Sequence, residues 1–335
     1  NNITGLAAGM SDTIEISFLA IDTCASCINE AFGENALDVL GGTSTDSDVA
    51  NVTIIEDEGY ISVNKTLISP SSGTALVGDT ITYRIAYSNV GTKDISTLPF
   101  TDIFPSSNMQ FLGVYGNSTV VTDQPSKDNW LREKEEDENY GDDNDIKIRL
   151  KNDDDKHGLM HFDLSAYSGY RVVNAELNTF IEAGSGNGNT IDVYEVTRFW
   201  DEGNEDGDDD ESNWIEATQP IDWTNEGGDY NPTILGSIPT DSKDWYSTIL
   251  PNNIIQNWID NSAQNFGVIL LSSGNDDKEI KLESNEGNAS KISYLELTLQ
   301  QNVTVDYQNG DTIKINNLGA MSAGATDFID VLKTT

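Results

Sequence analysis

Cysteine is nearly absent: Cys24 and Cys27, in the run CASC, are the only two in 335 residues. A framework of several disulfides is excluded, and so is a four-cysteine zinc site. The pair follows a strand-like run, TIEISFLAID, with no helix signal after it. A small disulfide between Cys24 and Cys27 is the favoured reading, with two free thiols or a redox pair left open. Positive charge is also scarce, at 18 Lys and Arg against 57 Asp and Glu, a net charge of −39. Nucleic-acid binding needs Lys and Arg for phosphates, so it is excluded as a function class, as is docking on anionic lipid. No run approaches the roughly 18 apolar residues of a membrane-spanning helix, so membrane insertion of this segment is not expected. The first residues, NNITGLAAGM, lack the basic region and apolar core of a signal peptide, so export must be argued from other features.

Enzymatic constellations are missing as well. Of the two histidines, His157 stands in the turn before the strand-like run LMHFDL and His161 lies within it. Four residues apart in a strand they share a face, which permits a metal pair. No Glu stands in the zincin position, and no nucleophile elbow or phosphate-binding glycine loop occurs. Solvated or packed histidines are the plainer reading, and no enzyme is expected.

Strand signals dominate what is present. TIEISFLAI, DVANVTII, GYISVNKTLI, DTITYRIAYSNV and AELNTFIEA alternate or run apolar between clusters of Gly, Asn, Asp and Ser. One stretch suits a helix, Pro251 to Ala263, with Ile254, Ile255, Trp258 and Ile259 at helical spacing. The fold class is therefore all-β, tandem β-sandwiches with one short helix. An internal repeat sets the organisation. Asn1, Asn2, Ala8, Gly9, Asp12 and Ile14 recur as Asn316, Asn317, Ala323, Gly324, Asp327 and Ile329. The segment after the first copy, through CINEAFGENAL and DVANVTIIED, has no counterpart after the second, so the chain is expected to open and close in mid-domain.

Residues 60–121 and 303–335 resemble an immunoglobulin- or fibronectin-like repeat family of large bacterial and archaeal surface proteins. Val77, Gly78, Asp79, Thr82, Tyr83, Asn89, Gly91, Asp102 and Pro105 carry the resemblance, with Asn29, Ala31, Ala50, Val52 and Ile54 in the closing strands. Residues 126–300 resemble the DNRLRE domain of secreted proteins, a β-sandwich grouped with carbohydrate-binding modules. The namesake motif reads D-N-W-L-R-E at Asp128 to Glu133, followed by Tyr140 and Gly141, Phe162 and Asp163, Trp200 and Glu202, Asn265 and Gly267. The two resemblances imply three parts. Residues 1–58 are the C-terminal part of one Ig-like repeat, and 59–125 with 301–335 form a second, incomplete one. Residues 126–300 are an inserted jelly-roll-like sandwich. Trp130 stands where the motif has Arg, and an acidic expansion follows Trp200.

Two kinds of site residue stand out. Asp201 to Glu211 hold eight carboxylates in eleven residues with two glycines. Such oxygen-rich loops suit Ca²⁺, so Asp201, Glu202, Asn204, Asp206, Asp208 and Asp210 are candidate ligands, against a plain solvated acidic loop. Trp130, Trp214, Trp223 and Trp245 lie in polar surroundings and are candidate sugar-stacking platforms, against structural roles; Trp200 and Trp258 lie in apolar patterns that suit a core. The functional expectation is a structural subunit of an extracellular surface filament, stalk or sheath. Its copies would join head to tail by strand complementation. The alternative is a glycan-binding module of a secreted adhesin or polysaccharide-processing protein, with extracellular polysaccharide as partner.

Overall fold

A computed structural model describes residues 6–11, 13–54, 58–183, 189–274 and 277–335. The repeat residues Asn1, Asn2 and Asp12 lie outside them. In chain order the strands begin with β1 (Cys24–Leu37), β2 (Thr43–Ile54), β3 (Ile61–Ser69), β4 (Thr80–Asn89), β5 (Phe100–Ile103) and β6 (Gln110–Asp123). There follow β7 (Lys127–Arg132), β8 (Asp145–Ile148), β9 (Lys156–His161), β10 (Tyr170–Ala183), β11 (Thr190–Val196), β12 (Glu216–Thr218) and β13 (Ile221–Asp222). The remainder are β14 (Tyr230–Pro239), β15 (Trp245–Ile249), helix α1 (Asn252–Asp260), β16 (Val268–Ser273), β17 (Ile280–Glu283), β18 (Tyr294–Asn302), β19 (Tyr307–Asn309), β20 (Thr312–Ile315) and β21 (Thr326–Thr334). The all-β class read from the alternating patterns holds, and the single helix starts one residue after Pro251.

The chain forms two compact units: residues 1–63, 87–99 and 317–326, and the remainder. In the first, β1 and β2 make an isolated antiparallel hairpin in which Asn29 faces Ala50 and Ala31 faces Asp48. Cys24 and Cys27 are joined in a disulfide at the start of β1, with Cα atoms 5.7 Å apart. Elsewhere in this unit Asn89 is fully buried and ties three segments together. Its carbonyl accepts from the Tyr60 and Gly91 amides, and its amide donates to the carbonyls of Lys93 and Met321. Gly91 must be glycine because a Cβ there would lie 2.2 Å from the Glu58 carbonyl oxygen. The N-x-G pair of the sequence thus has a packing reason.

In the second unit, the largest sheet runs β3-β4-β21-β6-β18-β10-β17-β8, with β15 also on β10. Strand β6 serves two partners in succession: residues 110–115 pair with β21, and residues 118–123 pair with β18. Facing this sheet is a second one, β14-β11-β16-β9-β7. Period-two alternation fills the space between them. Ala175, Leu177 and Ile181 of β10 and Leu295, Leu297 and Leu299 of β18 join Ile191, Val193 and Leu270 in one core. Helix α1 adds Ile255, Trp258 and Ile259, and the Trp258 indole donates to Glu195 at 3.0 Å. At the other end of the large sheet, the ammonium of Lys333 (β21) is fully buried and donates to Asp102 of β5 at 2.7 Å. Lys65 of β3 binds the same carboxylate, and the Phe104 ring lies 4.2 Å from the Lys333 ammonium.

Candidate functional site

The outward faces of β15, β10, β18 and the end of β6 form one exposed sheet surface. Because side chains alternate along a strand, the buried set on β10 forces Glu176, Asn178, Phe180 and Glu182 outward. Register then brings their neighbours alongside. Trp245 lies directly opposite Phe180, and Ser247 opposite Asn178, on β15. On β18, Tyr294 lies opposite Asn178 and Glu296 opposite Glu176. Thr122 of β6 follows opposite Glu296.

Three aromatic rings gather there. The Phe180 and Trp245 centroids are 5.5 Å apart at 69°, and those of Trp245 and Tyr294 are 5.5 Å apart at 58°. Trp245 is 39% exposed, an aromatic left open to solvent on the sheet surface. Beside the rings run hydrogen-bonding side chains. Ser247 donates to Glu176, and a shallow depression of about 380 Å³ is lined by Thr122, Gln124, Tyr294 and Glu296. Glu182 closes one end, bound by Lys243 and Lys291, and these ammoniums hold its carboxyl below the usual carboxylate range. Lys291 also sits 4.9 Å over the Phe180 ring. Apolar rings flanked by hydroxyl, amide and carboxylate groups match a sugar, whose ring faces are apolar and whose edges are hydroxyls.

Of the four tryptophans expected to stack on sugar, Trp245 alone has this setting. Trp130, Trp214 and Trp223 are buried, so their faces are not offered to a ligand. Trp130 stacks on Tyr140, centroids 3.8 Å apart, and its indole donates to Asp143. Trp214 and Trp223 join Trp200 over Leu131, Leu159 and Ile269, making a second small core on the outside of the β14-β11-β16-β9-β7 sheet. Gly227 packs so closely there that a Cβ would come within 2.7 Å of the Trp214 ring, and its φ of +81° suits glycine. His157 belongs to this layer: its Nδ1 lies 2.7 Å from the Gly227 carbonyl oxygen and its ring 4.8 Å from that of Trp214. His161 instead pairs with Ser126. Burial pushes both imidazoles below their ordinary value, His161 being pushed further by Lys127.

The acidic loop hangs from two buried asparagines. The Asn139 amide donates to the carbonyls of Glu202 and Ser212, both at 2.7 Å, and Asn129 donates to the Ser212 carbonyl at 2.9 Å. Within the loop the carboxylates face different partners. Asp210 accepts from the Asn204 amide, Asp209 from Gln219, Glu211 from Thr218 and Gln219, and Asp201 pairs with Lys127. Among the described residues no three acidic, histidine or cysteine side chains gather in metal-holding geometry. Glu202 turns inward to accept from the Asp128 amide. Burial, with Glu286 nearby, raises the carboxyls of Asp128 to about 8 and Glu202 to about 7.

Phe180 and Tyr294 were not singled out by the sequence reading. The signal lay in the alternation of AELNTFIEA, which puts Phe180 opposite in phase to Ala175, Leu177 and Ile181. The family model of carbohydrate-binding module family 96 matches residues 119–205. That match takes in the second half of β6, strands β7 to β11 and the start of the acidic loop. No curated protein matches the chain.

Proposed function

We propose that this chain is a non-catalytic, extracellular glycan-binding protein whose ligand lies across the β15-β10-β18 face. The observation that carries this reading is the exposed Trp245 ring set between half-buried Phe180 and Tyr294, on a face whose strand β10 lies within the carbohydrate-binding-module match at residues 119–205. The ligand class is a neutral polysaccharide. Glu176, Glu182 and Glu296 stand on the face, its two lysines are spent on Glu182, and a net charge of −39 repels polyanions. Migration through native gels containing neutral polysaccharides tests it. The chain is retarded by at least one of them, and Trp245→Ala removes about 2 kcal/mol, a roughly thirtyfold loss of affinity. Equal retardation of the two proteins would remove the face from consideration.

Calcium at the Asp201–Glu211 loop belongs to the same proposal, supported by carboxylate density and by Asp128 buried beside Glu202. Calcium is expected to raise the melting temperature and EDTA to reverse it, because an ion bound only to the folded state stabilises it. An unchanged melting temperature would count against the ion. A second reading, a subunit of a surface filament, is favoured by the exposed β1-β2 hairpin.

A further inference from the structure

The sheet face that carries Trp245 does not end at Glu176. Strict alternation along β10 would point Arg171 inward, in phase with Ala175 and Leu177. The pairing with β18 prevents this. Val172 lies opposite Leu299 and Asn174 opposite Thr298, so Val173 is an extra residue. Such a bulge reverses the phase of whatever precedes it. Val172 drops into the core, and Arg171 comes opposite Gln300, on the side of β18 that also carries Glu296 and Thr298. Tyr115 of β6 lies opposite Asn302, and the Arg171 guanidinium stands 5.2 Å over its ring.

A depression of about 420 Å³ opens there, lined by Tyr115, Tyr170, Arg171, Gln256, Asp260 and Asn302. The Gln256 carboxamide, on α1, is consumed in building it. It accepts from the Val172 amide at 2.8 Å and donates to the Tyr170 carbonyl at 3.0 Å and to Asp260 at 3.1 Å. Gln300 holds Arg171 in the same way. It accepts from the guanidinium at 3.0 Å while its own amide donates to Asp330 at 2.9 Å. In a chain of net charge −39, Arg171 forms no ion pair among the described residues. A guanidinium has more donors than Gln300 can take, Asp260 keeps lone pairs, and the exposed Asn302 carboxamide offers both kinds of group. An anion would meet Asp260 there, and a cation would meet Arg171. Neutral hydroxyls, each a donor and an acceptor, suit all three side chains.

Tyr294 and Gln300 lie about 20 Å apart along β18, at roughly 3.3 Å per residue. One sugar ring cannot span that distance, whereas a chain of several can. Between the two ends, Asn174, Thr298 and Ser118 continue the face with amide and hydroxyl groups. We infer that the depression at Arg171, Asp260 and Asn302 is a second subsite of the glycan face, and that the ligand is an extended neutral chain lying along β18 from Trp245 to Arg171. This subsite presupposes the glycan reading of the Trp245 face, and it gives that ligand a direction and a minimum length.

Calorimetric titration of the full chain with size-fractionated β-glucan, mannan, xylan and galactan oligosaccharides tests it. Affinity for the recognised series is expected to climb with length and to level off once a chain reaches both ends. Arg171→Gln lowers affinity for the longest oligosaccharides about tenfold, the worth of one hydrogen bond to a charged group, and leaves the shortest ones that bind unaffected. Asn302→Ala, at an exposed side chain, acts in the same direction and serves if Arg171→Gln lowers the melting temperature. Trp245→Ala weakens short and long chains alike. Affinity independent of length, or a folded Arg171→Gln and Asn302→Ala pair that binds long chains as the parent does, would overturn the second subsite and leave the Trp245 face standing. Failure of every series to bind the parent would remove both.

Discussion

At the scale of single residues, the molecule separates aromatic and charged side chains that look alike in sequence. Trp214 and Trp245 both lie among polar neighbours, yet one is 6% and the other 39% exposed. Their variants should therefore fail in opposite ways. Trp214→Ala removes a buried ring and is expected to cost about 3–5 kcal/mol of stability while leaving glycan affinity in the surviving fold unchanged. Trp245→Ala should leave stability within about 1 kcal/mol and lose affinity. Thermal melts alongside binding separate the two. Asp102 makes a related case. Asp102→Asn strands the buried Lys333 ammonium, an expected loss of about 3–5 kcal/mol. Lys333→Met in addition recovers most of it, because the uncompensated charge is gone. A double variant no more stable than Asp102→Asn would contradict that.

His157 gives the pH dependence at this scale. Its imidazole is held neutral, below the ordinary value of 6.5, by burial. A depressed histidine binds its proton more readily in the unfolded chain. Its contribution is complete above pH 6.5 and is lost as pH falls through the lowered folded value. His157→Asn keeps an amide in reach of the Gly227 carbonyl and removes the titration. Its melting temperature is expected to fall less than that of the parent between pH 7 and pH 5.

At the scale of elements, period-two patterns were legible wherever a strand has one wet face. AELNTFIEA became β10 with its apolar set buried, and the helix near Pro251 followed from the spacing of Ile255, Trp258 and Ile259. What sequence could not give was the second small core. Leu131, Leu159 and Ile269 project from the side of their sheet away from the main core, which reads as solvent-facing until a cover is known. The cover is the segment around Trp200, Trp214 and Trp223, brought there by Asn129 and Asn139 holding the acidic loop. Two asparagines bonding the Ser212 backbone carbonyl 83 and 73 residues away leave no periodic trace. The proposed glycan face was half legible: Trp245 stood out by type, whereas Phe180 and Tyr294 joined it through strand pairing between distant segments. Gly227→Ala checks the cover directly. It strains a left-handed residue against the Trp214 ring, and a loss of about 1–3 kcal/mol is expected, with faster proteolysis in the acidic loop.

At the scale of the whole molecule, net charge governs the response to salt. Fifty-seven carboxylates against eighteen cations repel one another, and salt screens that repulsion with a Debye length of about 3 Å at 1 M. The melting temperature should rise between about 0.05 M and about 1 M NaCl.

The most direct measurement of the central claim is the indole N–H spectrum of the protein as a neutral oligosaccharide from the retarding polysaccharide is added. Trp130, Trp200, Trp223 and Trp258 have their indole N–H groups committed to Asp143, Phe266, Asn213 and Glu195. The account predicts a saturable shift of the Trp245 resonance with these four unmoved. A ligand that binds while Trp245 stays still, or that shifts a buried indole instead, would contradict it.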